Sequence, residues 1–440
     1  MERDQWSEAI REWVESHREE AVALAAALVQ IPSVNHPPHG DEAEMQRFVA
    51  RWLQEAGASV DMYLLDDVPG LKEHPAYMAG RVYRNRSNVS GSFWGGSGRS
   101  LLFSGHADTV YEGHEVWKYP PFGGEVHDGY LYGRGAYDMK GGMAAAMMAV
   151  KCLLSLNAPI AGKVHIESVV DEEHGGANGS LAGRLRGLQA DMAIIPEPSN
   201  MRLYTAHLGG GIWKATFVGK SGIGFSGEEL VSALDAAVEF AALLKAFREY
   251  RWGTMIAHPL WEGKRKPEVT LLSLHSGDGS RELQEKLPAM GELNFWIESY
   301  PGVSGDEVLD ELWAYFEAHL LHYPTLAQCR PQIKPLIRYL SGSEMHRDSG
   351  TDNFLRIVAS TGERVLEAPI APPEGAPFAC DGFMFNLYSS TPALILGPGG
   401  ANAHAADERL DLESYHRLIR WYAEIIMDWC GMTLVKGGVG

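Results

Sequence analysis

The chain has 440 residues, 45% hydrophobic, 10% aromatic and 22% charged, a composition suited to a globular protein of two or three domains. Its 57 acidic and 38 basic residues leave a formal net charge of −19, a field that disfavours nucleic acid and anionic membrane surfaces and suits a protein that binds cations. Cys152, Cys329, Cys380 and Cys430 lie far apart with no C-x-x-C pair, which argues against a disulfide framework or a zinc ribbon and for a reducing compartment.

In chain order, Met1 to Glu19 is charged and helical in pattern, so no secretory leader is expected there. Apolar spacing over residues 6–29 predicts one helix stopping at Ile31-Pro32, and a second is expected over 42–56. The Gly- and Ser-rich segment 90–100 is expected to be an exposed loop or hairpin turn. Short apolar runs at 101–104, 164–170, 192–195 and 393–396 are read as buried strands, with helices at 142–156 and 412–430. The apolar stretch 143–156 is interrupted by Lys151 and too short to span a bilayer, so a cytoplasmic protein without membrane contact is expected. Strands alternating with helices imply an α/β fold with a mixed, largely parallel sheet flanked by helices.

The middle of the chain follows another pattern. Strands are expected at 212–218, 269–275 and 292–300, and amphipathic helices at 230–250 and 306–323. This strand-helix-strand-strand-helix series suits a small α+β sandwich inserted into the larger fold. The expected division is 1–206 and 343–440 for the larger domain, with 207–342 as the insertion.

In open α/β sheets, ligands gather beyond the carboxyl ends of the strands. The run 101–104 leads into Gly105-His106-Ala107-Asp108, and 164–170 into Asp171-Glu172-Glu173-His174. The run 192–195 leads into Pro196-Glu197-Pro198, and 393–396 into Gly397-Pro398-Gly399 and then His404. Asp138 lies in Gly133-Arg134-Gly135…Asp138-Met139-Lys140-Gly141-Gly142, ahead of a helix. Each residue alone has a plain explanation as a loop or capping group. Together the carboxylates repel one another unless a cation compensates. Two histidines with three carboxylates form a donor set that zinc accepts, enough for two neighbouring sites: His106, Asp138, Glu173, Glu197 and His404. Asp108, two residues past His106, is expected to reach the far ring nitrogen of that histidine and fix its tautomer. Of the doubled acid, one carboxylate is expected to bind metal and the other to shuttle a proton. No G-x-S-x-G elbow or Walker motif is present, and the glycines at 133–138 do not complete a dinucleotide fingerprint.

These motifs, in this order, resemble the family of acetylornithine deacetylase, succinyl-diaminopimelate desuccinylase and glutamate carboxypeptidase. The resemblance implies a zinc-exopeptidase-like catalytic domain with a ferredoxin-like lid that often serves dimerisation, hence a homodimer. It implies two divalent ions, zinc first with cobalt or manganese as alternatives. His106 and Glu197 would hold one, Glu173 and His404 the other, and Asp138 would bridge them. Glu172 would be the general base for the attacking water and Asp108 an orienting acid. The implied substrate is a small N-acylated amino acid or related amine, with dipeptides or a formylated aminopyrimidine as alternatives. An inactive protein that retains metal is the reading from another class. Two lid positions depart from the pattern: Ile223 stands where many relatives carry an oxyanion-binding histidine, and Glu298 where some have an arginine. Arg281 is a candidate replacement, though a plain surface arginine is the favoured reading there. His114, His127 and His174 are read as loop or supporting residues, Asp381 as structural support, and Arg134 as a partner for nearby carboxylates.

Overall fold

The structure is a computed structural model and describes residues 2–225, 227–277 and 285–433. The chain divides into two compact units, one formed by residues 1–206, 344–376 and 380–440, the other by 207–343 and 377–379.

The larger unit is built on a mixed nine-stranded sheet. Its centre is four parallel strands, side by side in the order Ala393–Ile395, Met192–Ile195, Ser100–His106 and Lys163–Val169. Strands buried on both faces read as continuous apolar runs, which is why these four are visible in sequence. The edges are antiparallel: Ser87–Phe93 and Ser59–Leu64 on one side, Tyr204–His207 on the other. Helices Gly141–Ser155 and Leu412–Cys430 pack against each other and against the Ser100–His106 strand. Almost every side chain of Gly141–Ser155 is buried. Gly142 permits its close approach, because a Cβ there would stand 2.0 Å from the Pro196 carbonyl oxygen, beside Glu197.

Two local expectations need correction. The helix expected over 6–29 is two helices, Arg3–Ser16 and Arg18–Val29. They break at His17, whose ring stacks on Trp13. Apolar spacing continues through the break, so periodicity could not reveal it. The supposed loop at 90–100 begins inside the Ser87–Phe93 strand, which is buried for most of its length. Ser90, Gly91 and Ser92 are packed within that strand, where a Cβ on Gly91 would come 3.0 Å from the Leu53 side chain, while residues 95–99 form the exposed loop expected there. Helix Ser349–Leu366 adds to the elements expected.

The second unit runs strand Gly209–Val218, helix Ala233–Thr254, strands Val269–Ser276 and Met290–Ser299, helix Gly305–His319 and strand Gln332–Pro335. Its antiparallel sheet places Val269–Ser276 at one edge, then Met290–Ser299, Gly209–Val218 and Gln332–Pro335. This is the ferredoxin-like β-α-β-β-α-β order. The fourth strand was absent from the sequence reading. The alternating core side chains of Gly209–Val218 and Met290–Ser299, among them Trp213, Phe217, Phe295 and Ile297, meet Phe240, Phe247 and Phe316 from the helices.

Among the described residues no helix is long and apolar enough to cross a membrane. All four cysteines are free and buried.

Candidate metal centre

The four parallel strands deliver their polar endings to one edge of the sheet. His106 is the last residue of its strand and almost fully buried. Asp171 follows Lys163–Val169 and bends the chain through a left-handed conformation (φ 66°), after which come Glu172 and Glu173. Glu197 follows Met192–Ile195. His404, also left-handed (φ 62°), lies in the loop after Ala393–Ile395, and Asp138 in the irregular turn before Gly141–Ser155.

These side chains meet around Asp138. One of its oxygens lies 3.3 Å from His106 Nε2 and the other 3.3 Å from His404 Nε2. His106 Nε2 is also 3.7 Å from Glu197 Oε1, and His404 Nε2 is 3.0 Å from Glu173 Oε2. Tetrahedral ligands about 2.0–2.2 Å from zinc are separated from one another by roughly 3.3–3.5 Å. The four observed spacings cluster around that edge length. Glu173 Oε1 is buried with no hydrogen-bond partner among the described residues, as expected of an oxygen meant for an ion. Glu172 lies on the other flank, with an oxygen in a set with His106 and Glu197 whose atoms are all within 4.8 Å of one another. The donor set therefore fits divalent metal, with Asp138 within reach of both imidazoles.

The charges of the side chains alone tell the same story. Burial works against a charged His106, yet the hydrogen bond to Asp138 and the charges of Glu197, Glu172 and Glu173 raise its pKa well above the usual imidazole value. The Glu173 carboxylate, with Asp138, does the same to His404, whose side chain is about half exposed. Burial and then neighbouring carboxylates push Glu172 and Glu197 upward. Asp138 is driven down by the two imidazoles in spite of its burial. A field that holds a proton on each imidazole is one that would hold a dication in their place.

Asp108 requires a correction. Its carboxylate oxygen lies 3.9 Å from His106 Nδ1, and the main-chain carbonyl of Asp108 meets that nitrogen instead, at 2.8 Å. The strand ends at His106, so the rule that residues two apart share a face no longer applies. The carboxylate accepts the main-chain N–H groups of Glu172 (3.1 Å) and Glu173 (3.0 Å) and the Asn35 side-chain amide (2.8 Å). Asp108 thus holds the acidic loop as well as the histidine ring.

Behind that loop lies a buried network that the sequence reading missed. The Asp171 carboxylate accepts from Tyr83 and Asn35 and pairs with Arg86, which is bidentate to Glu42. Glu408 was missed too, although Arg134, expected to find a carboxylate, pairs with it at 2.7 Å. An acid four residues after His404 was the only available signal.

The remaining residues fall into place singly. Asp381 accepts a hydrogen bond from Ser180. His114 approaches Tyr111, and exposed His127 pairs with Glu125. His174 Nδ1 meets the Glu173 carbonyl. Within the second unit, Ile223 is about half exposed and carries no polar group. Glu298 is nearly buried and held by both terminal nitrogens of Arg265, at 2.7 and 2.9 Å. Arg281 lies outside the described residues.

Residues 102–428 match the sequence profile of peptidase family M20/M25/M40. The N-formyl-4-amino-5-aminomethyl-2-methylpyrimidine deformylase of Bacillus subtilis is 28% identical, over 97% of this chain and 98% of that protein. Among solved structures, human carnosine dipeptidase 1 is similar with a TM-score of 0.70 and 16% identity, covering 96% of this chain and 99% of that one. The YXEP protein of Bacillus subtilis, described as a dinuclear metal binding peptidase from the M20 family, is similar with a TM-score of 0.54 and 16% identity, covering 94% of this chain and 98% of that one.

Proposed function

The chain belongs to peptidase family M20/M25/M40 and is a hydrolase of amide bonds, and from that premise we propose that it removes the acyl group from a small N-acylated amine with two divalent ions at its centre. The observation that carries the reading is Asp138, poised with one oxygen toward each of two imidazoles. His106, Glu197 and Asp138 would hold one ion, and Glu173, His404 and Asp138 the other, zinc being favoured by the nitrogen and oxygen donors. Such ions supply Lewis-acid polarisation of the amide carbonyl and lower the pKa of water.

The chain's own groups do the rest. Glu172 takes the proton from the attacking water and returns it to the leaving nitrogen, so amide and water become a carboxylic acid and an amine. Burial and neighbouring carboxylates raise its pKa, which suits a group that must both accept and give up a proton. Asp108 holds Glu172 and Glu173 by their main-chain N–H groups.

A formylated aminomethylpyrimidine is the favoured class, because similarity to the deformylase extends over nearly the whole of both chains. Glu298, already committed to Arg265, replaces the arginine with which some relatives meet a substrate carboxylate. This weakens the case for an N-acyl amino acid. The reading includes a cytoplasmic homodimer built on the second unit, whose Val269–Ser276 edge strand exposes Leu272 and Leu274.

The deciding experiment is a hydrolysis screen of protein loaded with zinc, cobalt or manganese. The substrates are N-formyl aminomethylpyrimidines, N-acetyl and N-succinyl amino acids, and dipeptides. The highest kcat/KM is expected on the formyl compound. Preference for an N-acyl amino acid would move the substrate class, and a two-metal protein inert toward every amide would favour the binding-protein reading.

A further inference from the structure

Glu408 is fully buried, yet no part of the proposed chemistry uses it. Its two oxygens accept four hydrogen bonds. Oε2 receives Arg134 Nη1 (2.7 Å) and the Gly135 N–H (3.0 Å). Oε1 receives the N–H groups of Tyr137 and Asp138, each at 3.0 Å. Its main-chain carbonyl accepts a fifth, from the Gly133 N–H at 2.9 Å.

The donors belong to a segment that cannot satisfy itself. Gly133 and Gly135 take positive φ values of 147° and 82°, and Asp138 is non-helical (φ −117°, ψ 95°). No strand ladder or regular helix is available to accept these N–H groups, and burying them unpaired would be costly. A charged acceptor makes stronger bonds than a carbonyl. One side chain therefore fixes the main chain from 135 to 138, including the N–H of Asp138 itself. Glu408 also lies four residues beyond His404, so the clamp joins the segment of one imidazole to the carboxylate that both imidazoles face. Asp108 does the corresponding work from the His106 segment, holding Glu172 and Glu173.

We propose that Glu408 is a positioning residue that sets Asp138 between His106 and His404 and so controls whether two metal ions are held together. The inference rests on the two-metal reading above. It differs from a purely structural anchoring role in one respect: the defect it predicts lies in metal binding.

The test compares wild type, Glu408→Gln and Glu408→Asp as full chains. Zinc affinity and stoichiometry are measured by competition with a chromophoric chelator, beside the melting temperature of the metal-free protein. The amide of Glu408→Gln turns an N–H₂ donor toward main-chain donors. The shorter acid keeps the charge but cannot reach both pairs. Folded variants are expected to lose about 10–100-fold in affinity for at least one ion. At saturating metal, kcat should fall while KM stays near wild type. A folded variant that binds both ions as wild type does would overturn the proposal. Should neither variant fold, hydrogen exchange of the wild-type segment 135–138 without metal decides: slow exchange supports the clamp, and exchange at loop rates overturns it. A wild-type chain that binds no divalent ion takes the two-metal reading down as well. A wild type that binds two ions beside an unaffected variant removes only the role of Glu408.

Discussion

The two units handle buried charge in opposite ways. Among the larger one's buried charges, Asp108 accepts the main-chain N–H groups of Glu172 and Glu173, Asp171 pairs with Arg86, itself bidentate to Glu42, and Glu408 pairs with Arg134. The second fills its core with Phe217, Phe240, Phe247, Phe295 and Phe316. Its buried charge centres on Arg251 and on Glu298, which Arg265 pairs. Burying an ion costs several kcal/mol before its partners repay the loss. In the larger unit the return is a set of irregular loops held where five candidate ligands converge. The second unit rests on apolar packing, and Ile223, about half exposed, lies outside that packing, whereas Glu298 is buried and paired with Arg265. The candidate site thus lies within the larger unit's polar framework, and the second unit is held mainly by apolar packing.

If that contrast is right, the largest effect comes from the larger unit. Glu172→Gln should lower kcat by about 10²–10⁴-fold while leaving metal content and melting temperature unchanged. A variant with near-normal turnover would move the proton shuttle elsewhere. His404→Ala should reduce bound metal from two ions to one per chain by elemental analysis, and full occupancy would break the assignment. Damage to the second unit should look different. Phe240→Ala, at a fully buried position ringed by Phe217, Phe295 and Phe316, should cost about 3–5 kcal/mol in urea unfolding of that unit. Zinc stoichiometry should not move; if it does, the two units are coupled more tightly than the contrast allows.

A smaller effect separates the units by pH. Burial, with the charges of Lys163 and Arg184, depresses His165 to about 4, and burial depresses His207 to about 4 against a hydrogen bond that its ring donates to the Leu208 carbonyl. Both rings are therefore neutral in the fold, while the unfolded chain takes up protons below about 6.5. Stability should fall as pH drops from about 6.5 to 4 and level off below, each ring accounting for at most roughly 3 kcal/mol. His165→Gln should flatten this dependence for the larger unit and His207→Gln for the second; no change in either would discount the buried rings. The smallest effect is expected at the open edge of the second unit's sheet. Leu274→Ser should alter stability by no more than about 0.5 kcal/mol, yet shift the chain toward monomer in light scattering if that edge forms the dimer.

By itself, the sequence determined the parallel core and the residues at its strand ends. Both leave local traces: a continuous apolar run, then an abrupt histidine or acid. His106, Glu172, Glu173 and Glu197 were legible for that reason, and Asp138 and His404 through the glycine-rich segments around them. The loop expected at 90–100 holds for 95–99, but Ser90, Gly91 and Ser92 belong to a packed strand, because close packing and loop exposure select the same small residues. The tertiary structure decided how the ligands are held. Asp108 turns its carboxylate to the acidic loop because the strand has already ended, and Glu408 reaches the N–H of Asp138 across 270 residues of chain. No periodicity or spacing records such a bond, since its partners become neighbours only when the sheet has formed and buried N–H groups must find an acceptor.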